Sequence, residues 1–157
     1  MTAPILTHWV PDTPLVVETD TLDYAIPGIL SISCSDGEFH PVTFYSCMLT
    51  SLELNYDTHD KELLTIFEEF QHWHHYLEGS TSPIDVMTDH KNLEYFTSSK
   101  LLTCWQARWS EFLCQFNLLV CFHPGCLGAK PDALTHCWDV YPKEGDRDYA
   151  CINPHNF

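Results

Sequence analysis

The residues Thr88 to Phe96, T-D-H-K-N-L-E-Y-F, follow a short apolar run, Pro83-Ile84-Asp85-Val86-Met87. This junction constrains the fold more than any other segment. A brief apolar run before turn-forming residues reads as a buried strand, so Asp89 is a carboxylate carried at a strand end. Three other acids occupy comparable positions. Asp20 closes the run Leu15-Val16-Val17-Glu18-Thr19, Glu62 opens an amphipathic helix, and Asp132 begins a short helix behind a Pro-Gly turn. Four carboxylates on four elements can converge. Left unpaired they would repel one another, so a convergent set points to divalent metal. Solvated turn acids and helix caps are the plainer reading of the same residues.

The rest of the chain supplies elements that could bring these ends together. Leu15 to Thr19, Ile26 to Cys34 and Phe39 to Leu49 read as strands with short connections, the latter two joined through a Ser35-Asp36-Gly37-Glu38 hairpin signal. Pro27 is expected at the start of its strand or at a bulge. Asp57 to Gly79 reads as one long helix, with Leu63, Ile66, Phe67, Phe70, Trp73, His74 and Leu77 at helical spacing. Glu62 lies at the edge of that stripe and is expected at the sheet margin without full burial. Pro83 to Thr88 and Leu118 to Phe122 complete five strands. Asn92 to Ser98, Thr103 to Phe116 and Lys130 to Trp138 read as helices. The Trp105, Trp109, Phe112 and Phe116 stripe is expected in the core rather than as a base-stacking platform. The order β-β-β-α-β-α-α-β-α predicts an α/β fold. Its mixed sheet has three antiparallel strands extended by two more across helices. Such a sheet can put the ends of the first and fourth strands side by side, and Asp20 beside Asp89.

Length and composition limit the alternatives. At 157 residues and 45% hydrophobic the chain can bury a real core as one domain. Residues 1–14 read as a lead-in, 15–138 as the domain, and 139–157 as a polar tail. No apolar run reaches a membrane span of about 18 residues, no signal peptide is evident, and an intracellular setting is expected. Eight Cys without a secretory route argue for free thiols. The triplets His72, His74, His75 and Cys121, His123, Cys126 lack accepted zinc spacing. A net charge of −15 opposes binding through phosphates, and any nuclease reading has to accommodate it.

Seven segments then point to a family: V-E-T-D-x-x-D-Y-A at 17–25, H-P-V-x-F-Y-S at 40–46, N-Y-D-x-H-D-K-E-L-L at 55–64, H-Y-L-E-G at 75–79, T-D-H-K-N-L-E-Y-F at 88–96, Q-A-R-W-S-E-F-L at 106–113 and L-G-A-K-P-D-A-L-T at 127–135. In that order they resemble the RNase H domain of gypsy-class LTR retrotransposon polyproteins, which follows the reverse transcriptase. The ending from Trp138 resembles the linker toward integrase. The resemblance implies an RNase H-like fold and places the family's catalytic, metal-binding acids at Asp20, Glu62, Asp89 and Asp132. It implies two Mg²⁺ ions, with Mn²⁺ able to substitute, and cleavage of the RNA strand of an RNA–DNA hybrid. It also implies polymerase and integrase neighbours in the parent polyprotein and no membrane partner. His90, Lys91, Lys100 and Arg108 are candidate nucleic-acid contacts, equally readable as a helix cap and solvated surface cations.

The chain departs from the family in one systematic way. Where members usually carry Arg it has Cys47, His74, Cys104, Trp105, His123, Cys126, His136 and Cys137. Cys, His and Trp are what single transitions make of CGN arginine codons. A decayed copy would explain the acidity and the thiol count together. Its function would then be that of a catalytically silent remnant or a protein-interaction module. An integrase- or transposase-type strand transferase on the same fold fits less well, since those enzymes generally end their acidic set with a late Glu, and here the fourth acid is Asp132.

Overall fold

The computed structural model describes residues 6–22, 24–88 and 102–122. Five strands form one sheet in the order β3-β2-β1-β4-β5. They are β1 (Leu15–Thr19), β2 (Ala25–Ser33), β3 (Phe39–Met48), β4 (Ile84–Thr88) and β5 (Leu118–Phe122). The first three form an antiparallel meander. Strand β4 lies parallel to β1, with Val17 opposite Val86, and β5 lies parallel to β4. The expected mixed sheet is present, and the ends of β1 and β4 are neighbours. Pro27 sits at the third position of β2, while the register shift falls later, between Leu30 and Ser31.

Helix α1 (Thr58–His72) begins at Asp57, whose carboxylate accepts the Thr58 N–H. It ends at Trp73, and a short helix α2 (His74–Leu77) follows. The continuous helix expected over 57–79 is thus divided at Trp73, whose indole is buried and lies 6.1 Å from the Tyr45 ring. Gly79, at φ +75, ends the segment in the left-handed region that glycine tolerates. Helix α3 (Cys104–Leu113) starts with a capping box: Thr103 accepts the Gln106 N–H, and the Gln106 side chain accepts the Thr103 N–H. The same Gln106 donates to Asp60 at 2.6 Å, tying the first turn of α3 to the first turn of α1.

The core lies between these helices and one sheet face. Leu63, Ile66, Phe70, Trp73 and Leu77 cluster with Val17, Leu30, Val86, Trp109 and Leu113. Edge-to-face ring pairs, Phe67 with Phe112 and Phe70 with Phe116, join α1 to α3 and the turn that follows it, both at 5.2 Å. Trp105 departs from the expected core stripe: it is 58% exposed, with the Arg108 guanidinium 5.4 Å from its ring centroid. A helix start capped from outside and tied to Asp60 turns its first residues away from the sheet, and the stripe becomes buried only from Trp109 onward.

The described part of the lead-in is also attached. Thr7 N–H donates to the Pro41 carbonyl at 2.8 Å, Ser33 N–H donates to the Pro14 carbonyl at 3.0 Å, and Trp9 packs on Tyr76 with ring centroids 5.0 Å apart.

Helix α1 approaches the sheet closely at Gly28 in β2. A Cβ added there would stand 2.3 Å from Oε1 of Glu69 and 2.7 Å from its carboxyl carbon. Glu69 has 0% exposure, so its side chain has no solvent to swing into. Gly28→Ala is therefore expected to cost about 1–3 kcal/mol, as overpacking does. The cost should shrink by at least about 1 kcal/mol in a Glu69→Ala background, where the obstructing carboxyl is gone. Urea denaturation of the two single variants and the double variant measures this. Equal costs in both backgrounds would show that α1 does not rest on Gly28.

Candidate functional site

Strand β1 delivers Asp20 one residue past its end. The carboxylate is half-buried, and its Oδ1 accepts the Thr21 N–H at 2.8 Å. The Asp20 N–H points to the Pro27 carbonyl at 3.4 Å, so the turn after β1 stays beside β2. Glu62 comes from the second turn of α1 and is 2% exposed. The expectation of a marginal, incompletely buried Glu62 is corrected: Glu62 is buried along α1 together with Leu63, Ile66, Glu69 and Phe70.

Both acids bear on a third that the sequence reading passed over. Glu69 follows Glu62 by two helical turns, which returns it to the same face. Burial pushes its carboxyl well above the usual carboxylate range; the Thr19 hydroxyl opposes the shift, and the negative charges of Glu62 and Asp20 add to it. Among the described residues neither Glu69 oxygen has a hydrogen-bond partner of ordinary geometry, and neither does Thr19 Oγ1. The Thr19 hydroxyl is thus near enough to matter electrostatically but not aligned to satisfy the acid. The available signal was the spacing of seven from Glu62 and the position beside Phe70 in an apolar stripe. The adjacent Glu68 is half-buried, its carboxyl raised by burial and by the nearby Glu53.

The structure therefore brings Asp20 and Glu62 to one neighbourhood, at the end of the sheet where β1 and β4 finish. Asp89 is one position beyond Thr88, the last residue of β4. Asp89, Asp132, His90, Lys91 and Lys100 lie outside the described residues. Among the described residues no three His, Cys, Asp or Glu side chains gather closely enough to hold a metal ion. The described donors fit a hard divalent cation by their chemistry: two carboxylates and no soft ligand. Arg108 is exposed on α3 and stacked over Trp105. Cys34, Cys47, Cys104, Cys114 and Cys121 are free thiols.

Glu69 gives stability a pH dependence whose sign is fixed. Its folded pKa is raised above the unfolded value, about 4.3 for a glutamate. Below that value both states hold the proton. As pH rises past it, the unfolded chain loses the proton while the folded chain keeps it, so stability falls until pH passes the folded pKa. Glu69→Gln lacks this loss. The urea midpoint of the parent is expected to decline relative to Glu69→Gln from about pH 4.3 upward, in buffer without divalent cation. A constant difference across pH 4–8 would contradict the buried, proton-holding assignment.

Comparison with known proteins gives three results. A profile of the RNase H-like domain found in reverse transcriptase matches residues 10–116. The Tf2-3 and Tf2-4 transposon polyproteins of Schizosaccharomyces pombe are each 35% identical to the chain, over 96% of it and 12% of their own length. The chain thus spans about an eighth of these relatives. Among solved structures, the foamy viral protease-reverse transcriptase dRH in complex with ds DNA superposes with a TM-score of 0.60 at 17% identity, covering 75% of this chain and 21% of that one. RNase H1 from Halobacterium salinarum gives 0.54 at 14% identity, covering 77% and 93%. LC11-RNase H1 in complex with an RNA/DNA hybrid gives 0.56 at 11% identity, covering 76% and 92%. At these identities the superpositions speak to the fold, which is that of RNase H.

Proposed function

The chain belongs to the family of RNase H-like domains found in reverse transcriptase, and from that premise we propose that it is the hybrid-cutting ribonuclease domain of a gypsy-class LTR retrotransposon polyprotein. The observation that carries this reading is the convergence of Asp20 and Glu62 on one neighbourhood at the shared end of β1 and β4. Its substrate is the RNA strand of an RNA–DNA hybrid, the kind of duplex to which the related LC11-RNase H1 is bound. Its neighbours in the parent element are the polymerase and integrase parts.

Asp20, Glu62, Asp89 and Asp132 would hold two Mg²⁺ ions, or Mn²⁺ in their place. Held there, the ions would supply Lewis-acid stabilisation of the negative charge that develops when a phosphodiester is hydrolysed. The chain's own contribution is placement. Strand β1 fixes Asp20 relative to β4. Helix α1 holds Glu62 in a dry setting, where its charge is strongly felt. Lys91, Lys100, Arg108 and His90 would meet the phosphates of the duplex.

A second reading, a silent remnant of the same fold, draws on a different observation. Cys47, Cys104 and Trp105 occupy positions where family members carry Arg, and all three are exposed. Exposed positions suit a surface arginine, so their present occupants represent cations lost from a binding surface. Arginine at these three positions would take the net charge from −15 to −12, and at all eight to −7, lessening the repulsion of a polyanion.

One experiment separates the two. The purified chain is incubated with a labelled RNA–DNA hybrid and Mg²⁺ or Mn²⁺. Cleavage of the RNA strand is expected. Asp89→Asn and Glu62→Gln should lower it by more than the roughly 10–100-fold that loss of a supporting partner costs at a metal site. Cleavage at the parental rate by Asp89→Asn would end the two-metal assignment. Absence of cleavage by the parent, and by a variant with Cys47, Cys104 and Trp105 returned to Arg, would establish the remnant.

A further inference from the structure

We propose that Thr21 and Thr65 form a hydroxyl latch that positions the Asp20 carboxylate against α1 and so sets the affinity of the site for its divalent cation. The proposal rests on the cation-binding role given above to Asp20 and Glu62. Thr65 stands one turn after Glu62 on the same face of α1 and has 0% exposure. Its Oγ1 donates to the Lys61 carbonyl at 2.8 Å, the back-bond by which a threonine satisfies itself inside a helix. A hydroxyl has one proton. The second contact of Thr65 Oγ1, at 2.8 Å from Thr21 Oγ1, therefore has Thr21 as donor and Thr65 as acceptor.

Thr21 then acts at both ends. Its hydroxyl holds the helix that carries Glu62, and its backbone N–H holds Oδ1 of Asp20 at 2.8 Å. A chain of hydrogen bonds runs from α1 through one residue to the carboxylate. Two backbone hydrogen bonds attach the turn to β2, from Asp20 N–H to the Pro27 carbonyl and from Leu22 N–H to the Ala25 carbonyl. The hydroxyl pair ties the turn to the helix instead. Such a tie matters because Asp20 and Glu62 carry like charges beside the buried Glu69, and repulsion favours separating them when no cation is bound. A restraint formed in advance keeps the two donors together, so the cation does not have to do the ordering. Neither Thr touches a reacting atom in this scheme; both are positioning residues.

The test uses the full chain with Thr65→Val, Thr65→Ser, Thr21→Val and Thr21→Ser. Valine keeps the shape and removes the hydroxyl; serine keeps the hydroxyl. Mg²⁺ binding is read by titration calorimetry without nucleic acid, and the Mg²⁺ concentration for half-maximal hybrid cleavage is read separately. Both serine variants should bind Mg²⁺ as the parent does. Both valine variants should bind roughly 10-fold more weakly, the scale of losing a supporting partner at a metal site. Their half-maximal Mg²⁺ should rise by the same factor, with the rate largely recovered at saturation. Thr21 is only half-buried in a turn, so Thr21→Val decides the matter even where Thr65→Val does not fold. Valine variants that unfold at lower urea but bind Mg²⁺ with parental affinity would overturn the latch and reduce the pair to a structural contact. A parent that takes up no more Mg²⁺ than Asp20→Asn would instead overturn the cation site itself, and the latch with it.

Discussion

Helix α1 meets the sheet along one continuous stripe, and that contact governs both stability and chemistry. Its C-terminal half, from Ile66 through Phe70, packs into the apolar cluster with Val17, Leu30 and Val86. Its N-terminal half places Glu62 and Thr65 against the turn that follows β1. Gly28 supplies the room for this approach, and Glu69 fills it. Because interiors are close-packed, the helix cannot be raised at one end without being disturbed at the other. The same seating therefore decides how deep the core is and where Glu62 lies.

Much of this was legible in the sequence, and the exceptions share a cause. The strand runs Leu15 to Thr19 and Leu118 to Phe122 matched to the residue, because short apolar runs bounded by turn residues have few alternatives. The antiparallel and parallel pairings followed from connection lengths. Periodicity reports which side of a helix is apolar, but not how closely that side approaches a sheet. Glu62 was expected at a margin and is buried; Glu69 was not singled out and is the most enclosed acid described; Trp105 was expected inside and stands out in solvent. Two of these involve contacts distant in sequence: Gly28 against Glu69, and Asp60 against Gln106 at the start of α3. Of the four proposed acids, two lie among the described residues. Asp20 and Glu62 share a neighbourhood, and Asp89 and Asp132 belong to the proposal.

The charge of the chain is unevenly relevant to its function. A net −15 is a long-range term, screened beyond roughly 8–10 Å at ordinary ionic strength. The carboxylates around Glu69 act at close range in a poorly solvated setting, where neighbouring charges matter far more. An arginine placed at position 104 or 105 would alter the surface potential that an approaching polyanion meets. It would leave the ionisation of the buried acids nearly untouched, since both positions are exposed at the start of α3.

The attachment of the lead-in bears on how the domain should be excised from a longer polyprotein. Thr7 is bonded to the first part of β3, Pro14 receives the last N–H of β2, and Trp9 covers Tyr76 of α2. A fragment cut where the family profile begins, at residue 10, would discard both Thr7 and Trp9. The stump would leave Tyr76 and the adjoining edge of the sheet open to water, or to the corresponding face of another molecule. Recombinant boundaries placed upstream of Thr7 keep both of these contacts, and self-association of a shorter fragment would report on the boundary rather than on the domain.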